Sequence, residues 1–497
     1  MSEEIEIAGI KISQSEWEKT PKSVQALVTV LSERLIHYEE RLTHLEEQLN
    51  QNSQNSSQPS SKDGFGEKVK PSKPPRKKAR QFQKVEKPQR ELYPIEKCQA
   101  VHIQVPDHCH QCKESLSGTD PHPYRHQVIE IPPITPKVIE YQLHQLECEH
   151  CGAFTRGTLP SGVCASGYGE RLAGVVSLLS SEYRQSHRMV QRLMEALFNI
   201  PISRGSVNRL RREVSEAVSA AVESAGQYVQ TQAVMNSDET SFKQGNRDGL
   251  NPKQTQGWIW TLVTPLVSFF EVVLSRSGAT AQALIGNEFA GVVVSDRYSS
   301  YTWIEVTQRQ VCWAHLKRDF TAISQRKGVS KEIGEALLFR EKRLFRWWHR
   351  VRDGTLTREE FRVLVEPLRA GLRADLESAA ELPIAPHEKT PLAKTVRTCI
   401  QILKVESALW TFVEMPGVEP TNNAAERALR PAVIWRRTSF GSQSKAGSQF
   451  VSRMLTVVTS LKAQQRDVLD FLAQSCRAAR LGLPTPSLLP QTQSSEF

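Results

Sequence analysis

The first regular pattern along the chain is a run of apolar or aromatic residues at alternating steps of four and three. The positions are Val24, Val28, Leu31, Leu35, Tyr38, Leu42, Leu45 and Leu49. A seam of this period predicts a coiled coil over residues 20–50, because it faces the same seam of a partner helix. The alternative is a single amphipathic helix that packs on its own chain. We favour self-association into a homodimer or a higher homo-oligomer.

The hydrophobic pattern stops after this seam. Residues 51–97 are rich first in Gln, Asn and Ser and then in Lys, Arg and Pro, a composition that cannot bury a core and predicts a disordered basic linker. Between Lys62 and Arg90, eleven basic residues stand against three acidic ones, so most of the formal net charge of +10 lies there. We interpret this run as a non-specific DNA-binding arm, with a solvated linker as the alternative.

Two Cys-x-x-Cys pairs follow, Cys109 with Cys112 and Cys148 with Cys151. Strand-like stretches at 126–131 and 137–146 are expected to form a hairpin that brings the pairs together. Four thiolates suit one structural Zn²⁺, so we predict a zinc-binding domain at 98–162, with four unrelated thiols as the alternative. The remaining cysteines are interpreted as ordinary thiols: Cys98, Cys164, Cys312, Cys399 and Cys476.

Helical periodicity dominates residues 167–228. The pattern breaks at Asn199, and Ser203 is placed to cap a second helix that is rich in arginine. Helix, short break and basic helix is the layout of a helix-turn-helix DNA reader, and an ordinary packed helix pair is the alternative. The candidate DNA-binding residues on the second helix are Arg204, Asn208, Arg209 and Arg212.

A strand pattern begins near Ala233. The predicted elements are strands at 233–236, 258–264 and 268–274, a helix at 280–289, and strands at 291–295 and 311–313. This order describes the start of a ribonuclease-H-like sheet, in which the fourth strand lies beside the first. Asp238 and Asp296 follow these two strands, where their carboxylates would converge to bind two metal ions.

Both aspartates have a simpler explanation, since Asp often ends a strand. Glu239 is a rival to Asp238, but strand alternation points it to the opposite face of the sheet. A third acid comes from residues 421–441, which read TNNAAERALRPAVIWRRTSFG. Asn422 or Asn423 is expected to cap a helix that carries Glu426 in its first turns.

The motifs Asp238-Glu-Thr, SDRYSSY around Asp296, CWAHLKRDF, and NNAAERALRP followed by RRTSFGS closely resemble the bacterial insertion-sequence family numbered sixty-six. The likeness extends over most of residues 20–475. One departure is Arg297, where many relatives have Gly. The resemblance implies a DDE transposase in which Asp238, Asp296 and Glu426 hold Mg²⁺ or Mn²⁺.

That resemblance also implies binding of terminal inverted repeats, metal-dependent cleavage of the transposon end, and strand transfer by the freed 3′-hydroxyl to target DNA. Accessory proteins of the same element are candidate partners. Two other classes stay open, a ribonuclease-H-like structure-specific nuclease and a non-catalytic DNA-binding protein derived from a transposase. Further candidate DNA-binding residues follow the fifth strand or share the Glu426 helix: His315, Lys317, Arg318, Arg427 and Arg430.

The predicted architecture is therefore a multidomain α+β protein. Its ribonuclease-H-like α/β catalytic core is divided into 229–327 and 416–480 by a helical insertion at 328–415, and a disordered tail is expected at 481–497. The acidic start Met-Ser-Glu-Glu does not resemble a signal peptide, and no apolar run is long enough to span a bilayer. We expect a cytoplasmic protein without a membrane partner.

The seam gives a direct test of self-association. A fragment ending near residue 50 should sediment as a dimer or larger species at micromolar concentration, because the apolar seam is buried only between helices. Analytical ultracentrifugation measures this, and a purely monomeric fragment would favour the single amphipathic helix.

Overall fold

The computed structural model describes residues 4–7, 10–49, 55, 91–165 and 167–491. The chain divides into two compact units, one formed by Phe65–Lys137 and the other by Met1–Gly64 together with Val138–Phe497. The protein has a mixed α+β structure that is about half helical. Most of the linker predicted at 51–97 lies outside the described residues.

The N-terminal part of the larger unit contains a hairpin and a long helix. Its elements are β1 (Glu4–Ile7), β2 (Ile10–Ser13), α1 (Gln14–Lys19) and α2 (Lys22–Leu49). Helix α2 covers the apolar seam, and Leu31, Leu35 and Leu42 on that seam are exposed. A coiled-coil helix seen without its partner would expose such a seam, and self-association stays a prediction.

The region between the two cysteine pairs differs from the prediction. In the smaller unit, the described residues form a short 3₁₀ helix at Ile95–Lys97 and otherwise turns and irregular chain, so the strand predicted at 126–131 is wrong. In the larger unit, β3 (Gln145–Glu147) pairs antiparallel with β4 (Phe154–Arg156), and only the end of the predicted strand 137–146 is extended. The prolines at 132, 133 and 136 cannot donate to a ladder, and the apolar side chains nearby are exposed.

Four helices precede the central sheet: α3 (Glu170–Ser181), α4 (His187–Phe198), α5 (Arg204–Ala217) and α6 (Ser219–Gln230). The break before α5 has the expected chemistry. Asn199 ends α4 with a left-handed φ of 52°, and the Ser203 hydroxyl accepts the N–H of Ser206 at 3.0 Å. Helix α5 buries an apolar side made of Val207, Leu210 and Val214.

The central sheet has five strands in the order β7-β6-β5-β8-β9. The strands are β5 (Val234–Ser241), β6 (Trp258–Val263), β7 (Ser268–Val273), β8 (Val292–Ser295) and β9 (Arg309–Val311), with α7 (Gly278–Ile285) between β7 and β8. Strands β5, β6 and β7 pair antiparallel, whereas β8 is parallel to both β5 and β9. The fourth strand of the sheet therefore lies beside the first.

Two strand boundaries differ from the sequence prediction. Strand β5 does not end before Asp238 but continues to Ser241, because its pairing with β6 extends that far. Strand β9 ends at Val311 and not at Trp313. The N–H of Trp313 donates to the Pro420 carbonyl at 2.9 Å instead of to a neighbouring strand, and the next helix begins there.

The helical segment after β9 packs on the sheet. It consists of α8 (Trp313–Ser324), α9 (Val329–Arg352), α10 (Arg358–Ala380), α11 (Pro391–Leu403) and α12 (Thr411–Glu414). Trp348, Phe361 and Phe412 contact one another in its core, which is continuous with Val292 and Val294 of β8. The insertion is thus joined to the sheet by a shared hydrophobic core.

The last helices are α13 (Asn423–Ser439), α14 (Lys445–Ala463) and α15 (Val468–Leu481). Helix α14 covers the edge strand β7 with hydroxyl groups at a spacing of four residues. Ser452, Thr456 and Ser460 accept the N–H groups of Val272, Phe270 and Ser268 at 2.9–3.0 Å. These bonds satisfy backbone donors that an open sheet edge would expose.

The disordered tail was predicted to begin at residue 481, but the chain is still packed on the core several residues later. Leu488 is fully buried against the main core, and Arg466 donates to the carbonyls of Ser487 and Leu489. An apolar residue near the end of the chain thus holds the segment after α15 in place. Within the described part of the chain, no helix is both long and apolar enough to span a membrane.

Candidate active site

Strand β5 presents two different faces around Asp238. Asn236, Asp238 and Thr240 lie on a half-buried face, whereas Ser237 and Glu239 lie on the buried face, as strand alternation requires. Asn236 and Thr240 both bind residues of the α13 segment, so Asp238 lies between two points of contact with that segment. The side chain of Asp238 therefore faces the part of the chain that carries Glu426.

Asp296 follows the strand next to that of Asp238. The last parallel pair between β5 and β8 is Asn236 with Val294, and each aspartate comes two residues later along the chain, Asp238 within β5 and Asp296 one residue after the end of β8. One Asp296 carboxylate oxygen accepts the N–H of Tyr298 at 2.8 Å. Arg309 donates to the main-chain carbonyl of Asp296, also at 2.8 Å. These bonds fix the turn after β8 and leave Asp296 half-buried beside β5.

Asn422 connects the start of α13 to the sheet. Its side-chain amide donates to the Ser237 carbonyl at 2.8 Å and accepts from Asn236 at 2.9 Å. Its own N–H donates to the Cys312 sulfur at 3.1 Å. Asn422 occupies the position before α13, but its side chain makes no helix-capping bond. It is fully buried and fixes the first turn of α13, which carries Glu426, against β5.

Glu239 has a structural role on the other face. Both carboxylate oxygens are engaged, one by Arg276 at 2.7 Å and the other by the Tyr301 hydroxyl at 2.7 Å. The Arg276 guanidinium stacks on the rings of Trp258 and Tyr298. Burial raises the pKa of Glu239, and the bonds from Tyr301 and Arg276 oppose that rise. Its oxygens thus already have partners within the chain.

The charges of the neighbouring acids act on Asp238. Burial raises the pKa of Asp238 well above its usual range, and the charges of Glu239, Asp296 and Glu426 add to the rise. Glu426 Oε1 is buried and has no hydrogen-bond partner among the described residues. Carboxylates provide the hard oxygen ligands that Mg²⁺ and Mn²⁺ prefer. Among the described residues, however, Asp238, Asp296 and Glu426 do not form a group whose ligand atoms all lie within 4.8 Å of one another. The donor type of the three acids therefore fits a divalent cation.

The candidate DNA-binding residues are distributed over three surfaces. Arg204, Asn208, Arg209 and Arg212 are all exposed on one side of α5. Arg427 and Arg430 are exposed on α13, next to Glu426. Lys317 instead pairs with Glu341 at 3.1 Å, and Arg318 lies 3.3 Å from the ring of His315. The last two contacts give these residues structural partners within the chain.

Each cysteine pair lies in a tight turn of the same type. Lys113 and Gly152, one residue after each pair, both have positive φ, and each donates its N–H to the carbonyl of the first cysteine. Backbone N–H groups within each turn lower the pKa of Cys109 and of Cys148. Such turns stabilise thiolates, the form in which cysteine binds zinc. Cys109 and Cys112 belong to the smaller unit, and Cys148 and Cys151 to the larger.

Comparison with known proteins identifies the class of protein. The model of the Transposase IS66 family matches residues 170–450, which is more than half of the chain and includes all three acids. The chain therefore belongs to the IS66 family of transposases. A family of unknown function, DUF6444, matches residues 12–91.

Two proteins of Sinorhizobium fredii are also similar to this chain. They are described as uncharacterized proteins y4qI and y4hP, and they are 26% and 25% identical to it over 262 and 263 residues. Each alignment covers 48% of this chain and 46% of the relative. The chain thus spans about half the length of the curated relatives it matches.

Two residues near the acids have roles that the sequence analysis did not assign. Asn422 was expected at most to cap a helix, but it binds the sheet. Cys312 was interpreted as an ordinary thiol, but its sulfur accepts the Asn422 N–H. One feature of the sequence could have drawn attention to Cys312. It lies three positions before His315, where a predicted strand leads into a helix.

Asn422→Ala should lower the free energy of unfolding by about 1–3 kcal/mol, because it leaves the Ser237 carbonyl without its buried donor. Urea denaturation of the full chain measures this. Asn423→Ala is the matched control, since Asn423 is the adjacent residue and is exposed. Equal losses for the two variants would contradict the role of Asn422.

Asp238→Asn should stabilise the metal-free protein by about 0.5–2 kcal/mol at neutral pH. The raised pKa of Asp238 means that the folded protein binds this proton more tightly than the unfolded chain does. The free energy of unfolding of the wild type therefore falls as the pH rises above the usual pKa range of Asp. The side-chain amide of Asp238→Asn has no proton to lose, so the variant does not show that fall.

Without metal, Asp238→Asn is expected to be more stable than the wild type. Added Mg²⁺ should make the wild type the more stable protein, because a bound ion stabilises only the folded state that holds it. Mg²⁺ is expected to raise the unfolding temperature of the wild type and of an exposed control, Glu288→Gln, but not that of Asp238→Asn. Thermal unfolding with and without Mg²⁺ measures both effects. The same Mg²⁺ response in all three proteins would refute binding at Asp238.

Proposed function

We propose that this protein is a DDE transposase that binds the terminal inverted repeats of its insertion sequence, cleaves the DNA ends and transfers the strands to target DNA. One observation carries the proposal. Asp238 lies on β5 and Asp296 directly follows the neighbouring parallel strand β8, and the helix that bears Glu426 is bonded to β5 through Asn422. Membership of the transposase family gives this arrangement its chemical context.

The catalytic core proposed here is ribonuclease-H-like. Its support is the strand order β7-β6-β5-β8-β9, with three antiparallel strands followed by two parallel ones. Asp238 lies on β5, and Asp296 follows β8, the adjacent strand in this order. The long helical segment between Asp296 and Glu426 is then an insertion that packs on the β8 side of the sheet.

Asp238, Asp296 and Glu426 would hold two divalent ions, Mg²⁺ or Mn²⁺. When bound, such ions neutralise charge on the scissile phosphate and lower the pKa of the attacking water or hydroxyl. Asp238 and Asp296 supply carboxylates from fixed main-chain positions, and Glu426 supplies an oxygen that has no hydrogen-bond partner among the described residues. Glu239 binds Arg276 and Tyr301 and so stabilises the face of β5 opposite Asp238.

The overall reaction consists of two phosphoryl transfers. Water first hydrolyses the phosphodiester at the transposon end and frees a 3′-hydroxyl. That hydroxyl then attacks a target phosphodiester, whose own 3′-oxygen leaves. No tyrosine or serine nucleophile is required. Arg427 and Arg430 are exposed on the Glu426 helix, where their guanidinium groups would contact DNA phosphates.

Recognition of the ends is proposed for the α4–α5 pair. The arginine-rich face of α5 is exposed, and its apolar face is buried, so the basic side is free to enter a major groove. Two transposon ends require two active sites, and self-association through the α2 seam would supply them. The basic run between Lys62 and Arg90 would add sequence-independent affinity.

A structural zinc ion is proposed for Cys109, Cys112, Cys148 and Cys151. Its support is the matching turn geometry of the two pairs and the lowered thiol pKa values of Cys109 and Cys148. A set of four thiolates completes a tetrahedral site and leaves no position for catalysis. This ion would therefore stabilise the fold without taking part in DNA chemistry.

The decisive experiment is cleavage and strand transfer by the purified protein on its own end sequence. Asp238→Ala, Asp296→Ala and Glu426→Ala should each reduce product formation at least about a hundredfold, because each removes a ligand of the metal centre. Glu288→Ala, which removes an exposed carboxylate, should retain activity.

The substrate separates the alternatives. Cleavage that follows DNA structure and ignores the terminal sequence would identify a structure-specific nuclease. End binding without cleavage, unchanged by the three substitutions, would identify a non-catalytic DNA-binding protein. Activity retained in all three alanine variants would refute the assignment of the acids.

A further inference from the structure

Cys312, His315 and Glu426 form a compact cluster of three different ligand types. A thiol sulfur, an imidazole nitrogen and a carboxylate oxygen all lie within 4.8 Å of one another. His315 Nδ1 is 3.9 Å from Glu426 Oε1. The ligands of a tetrahedral zinc ion lie about 3.3–3.8 Å apart, given their bond lengths to the metal. A contraction of at most about 1.5 Å would therefore close the cluster around an ion.

Two of the three ligand atoms have no hydrogen-bond partner in the part of the chain that the structure describes. Among the residues that the structure describes, His315 Nδ1 and Glu426 Oε1 are both buried without a hydrogen bond. Native proteins usually satisfy such atoms with a protein group, a water molecule or an ion. Two facing unsatisfied atoms beside a thiol are thus an independent sign that the cluster takes a ligand.

The main chain holds the three residues in place. Cys312 and His315 are one helical turn apart at the start of α8, and Glu426 lies in the first turn of α13. The N–H of Asn422 donates to the Cys312 sulfur, and the N–H of Trp313 donates to the Pro420 carbonyl. The starts of the two helices are therefore fixed against each other, and little ordering is needed for binding.

We propose that Cys312, His315 and Glu426 bind a thiophilic divalent cation of the Zn²⁺ class, and that this ion inhibits DNA cleavage by withdrawing Glu426 from the catalytic centre. The inhibition rests on the proposed role of Glu426, whereas the binding does not. On binding, the S–H bond of Cys312 is replaced by a sulfur–metal bond, and the proton passes to solvent. No oxidant or reductant is involved.

The mixed ligand set determines which ions bind. Sulfur and imidazole favour Zn²⁺ or Cd²⁺, whereas Mg²⁺ prefers oxygen ligands alone. Burial raises the pKa of Cys312 to about 11, so its sulfur stays protonated until a thiophilic ion displaces the proton. Arg318 contacts the other ring nitrogen of His315, Nε2, so Nδ1 is the nitrogen available to the ion.

Binding is tested with Cd²⁺ as the probe and cadmium NMR of the full chain. The expected wild-type spectrum contains a resonance from a site with one sulfur, in addition to any resonance from a four-thiolate site. Cys312→Ala should lose the one-sulfur resonance. Cys399→Ala is the matched control and should keep it, because Cys399 is a buried thiol elsewhere in the chain.

Absence of that resonance from the wild type, or its presence in Cys312→Ala, would overturn the proposal. If circular dichroism shows that Cys312→Ala does not fold, His315→Ala takes its place, with the same expected loss. This measurement does not depend on catalytic activity. A protein that shows the resonance but never cleaves DNA would refute the proposed function and leave the metal site standing.

Inhibition is tested by adding Zn²⁺ to DNA cleavage reactions in Mg²⁺, with each protein compared with its own rate without Zn²⁺. Loss of the sulfur ligand should raise the half-inhibitory Zn²⁺ concentration of Cys312→Ala at least about tenfold. Cys399→Ala should match the wild type. Equal inhibition of all three proteins would show that Zn²⁺ acts at another site.

Discussion

The candidate site depends on the carboxamide of Asn422. This one side chain donates to the backbone of β5, accepts from Asn236 on the same strand, and lies next to an N–H that binds Cys312. The strand of Asp238, the start of α8 and the start of α13 therefore meet at a single buried residue. Glu426 is 188 residues from Asp238 along the chain, and this network is what makes them neighbours.

The network has to oppose an unfavourable charge distribution. Burial raises the pKa of Asp238, and the charges of Glu239, Asp296 and Glu426 add to that rise. Buried Glu239 supports the same strand from its other face through an ion pair with Arg276 and a hydrogen bond from Tyr301. Stability around the site thus comes from neighbouring neutral or paired groups, and the acids themselves remain available for cations.

Most strands of the sheet could be predicted because their signals are local, whereas the role of the acids stays a prediction. Apolar runs marked β6, β7 and β8, and the NNAAERALRP segment identified Glu426. The ends of β5 and β9 were missed because pairing with β6 and the carbonyl of Pro420 determine them. The role of Asn422 and the hydroxyl groups of α14 on β7 were missed for the same reason, since they join residues more than a hundred positions apart.

The helical insertion determines where Glu426 lies. On its return to the core, the chain follows β9. The Leu409 carbonyl accepts from Gln310 and from the indole of Trp313, and the Phe412 N–H donates to Gln310. The Pro420 carbonyl then accepts from Trp313, two residues before Asn422. The insertion thus sets the path by which Glu426 reaches the aspartates, and any shift of its last segment along β9 would move that carboxylate with it.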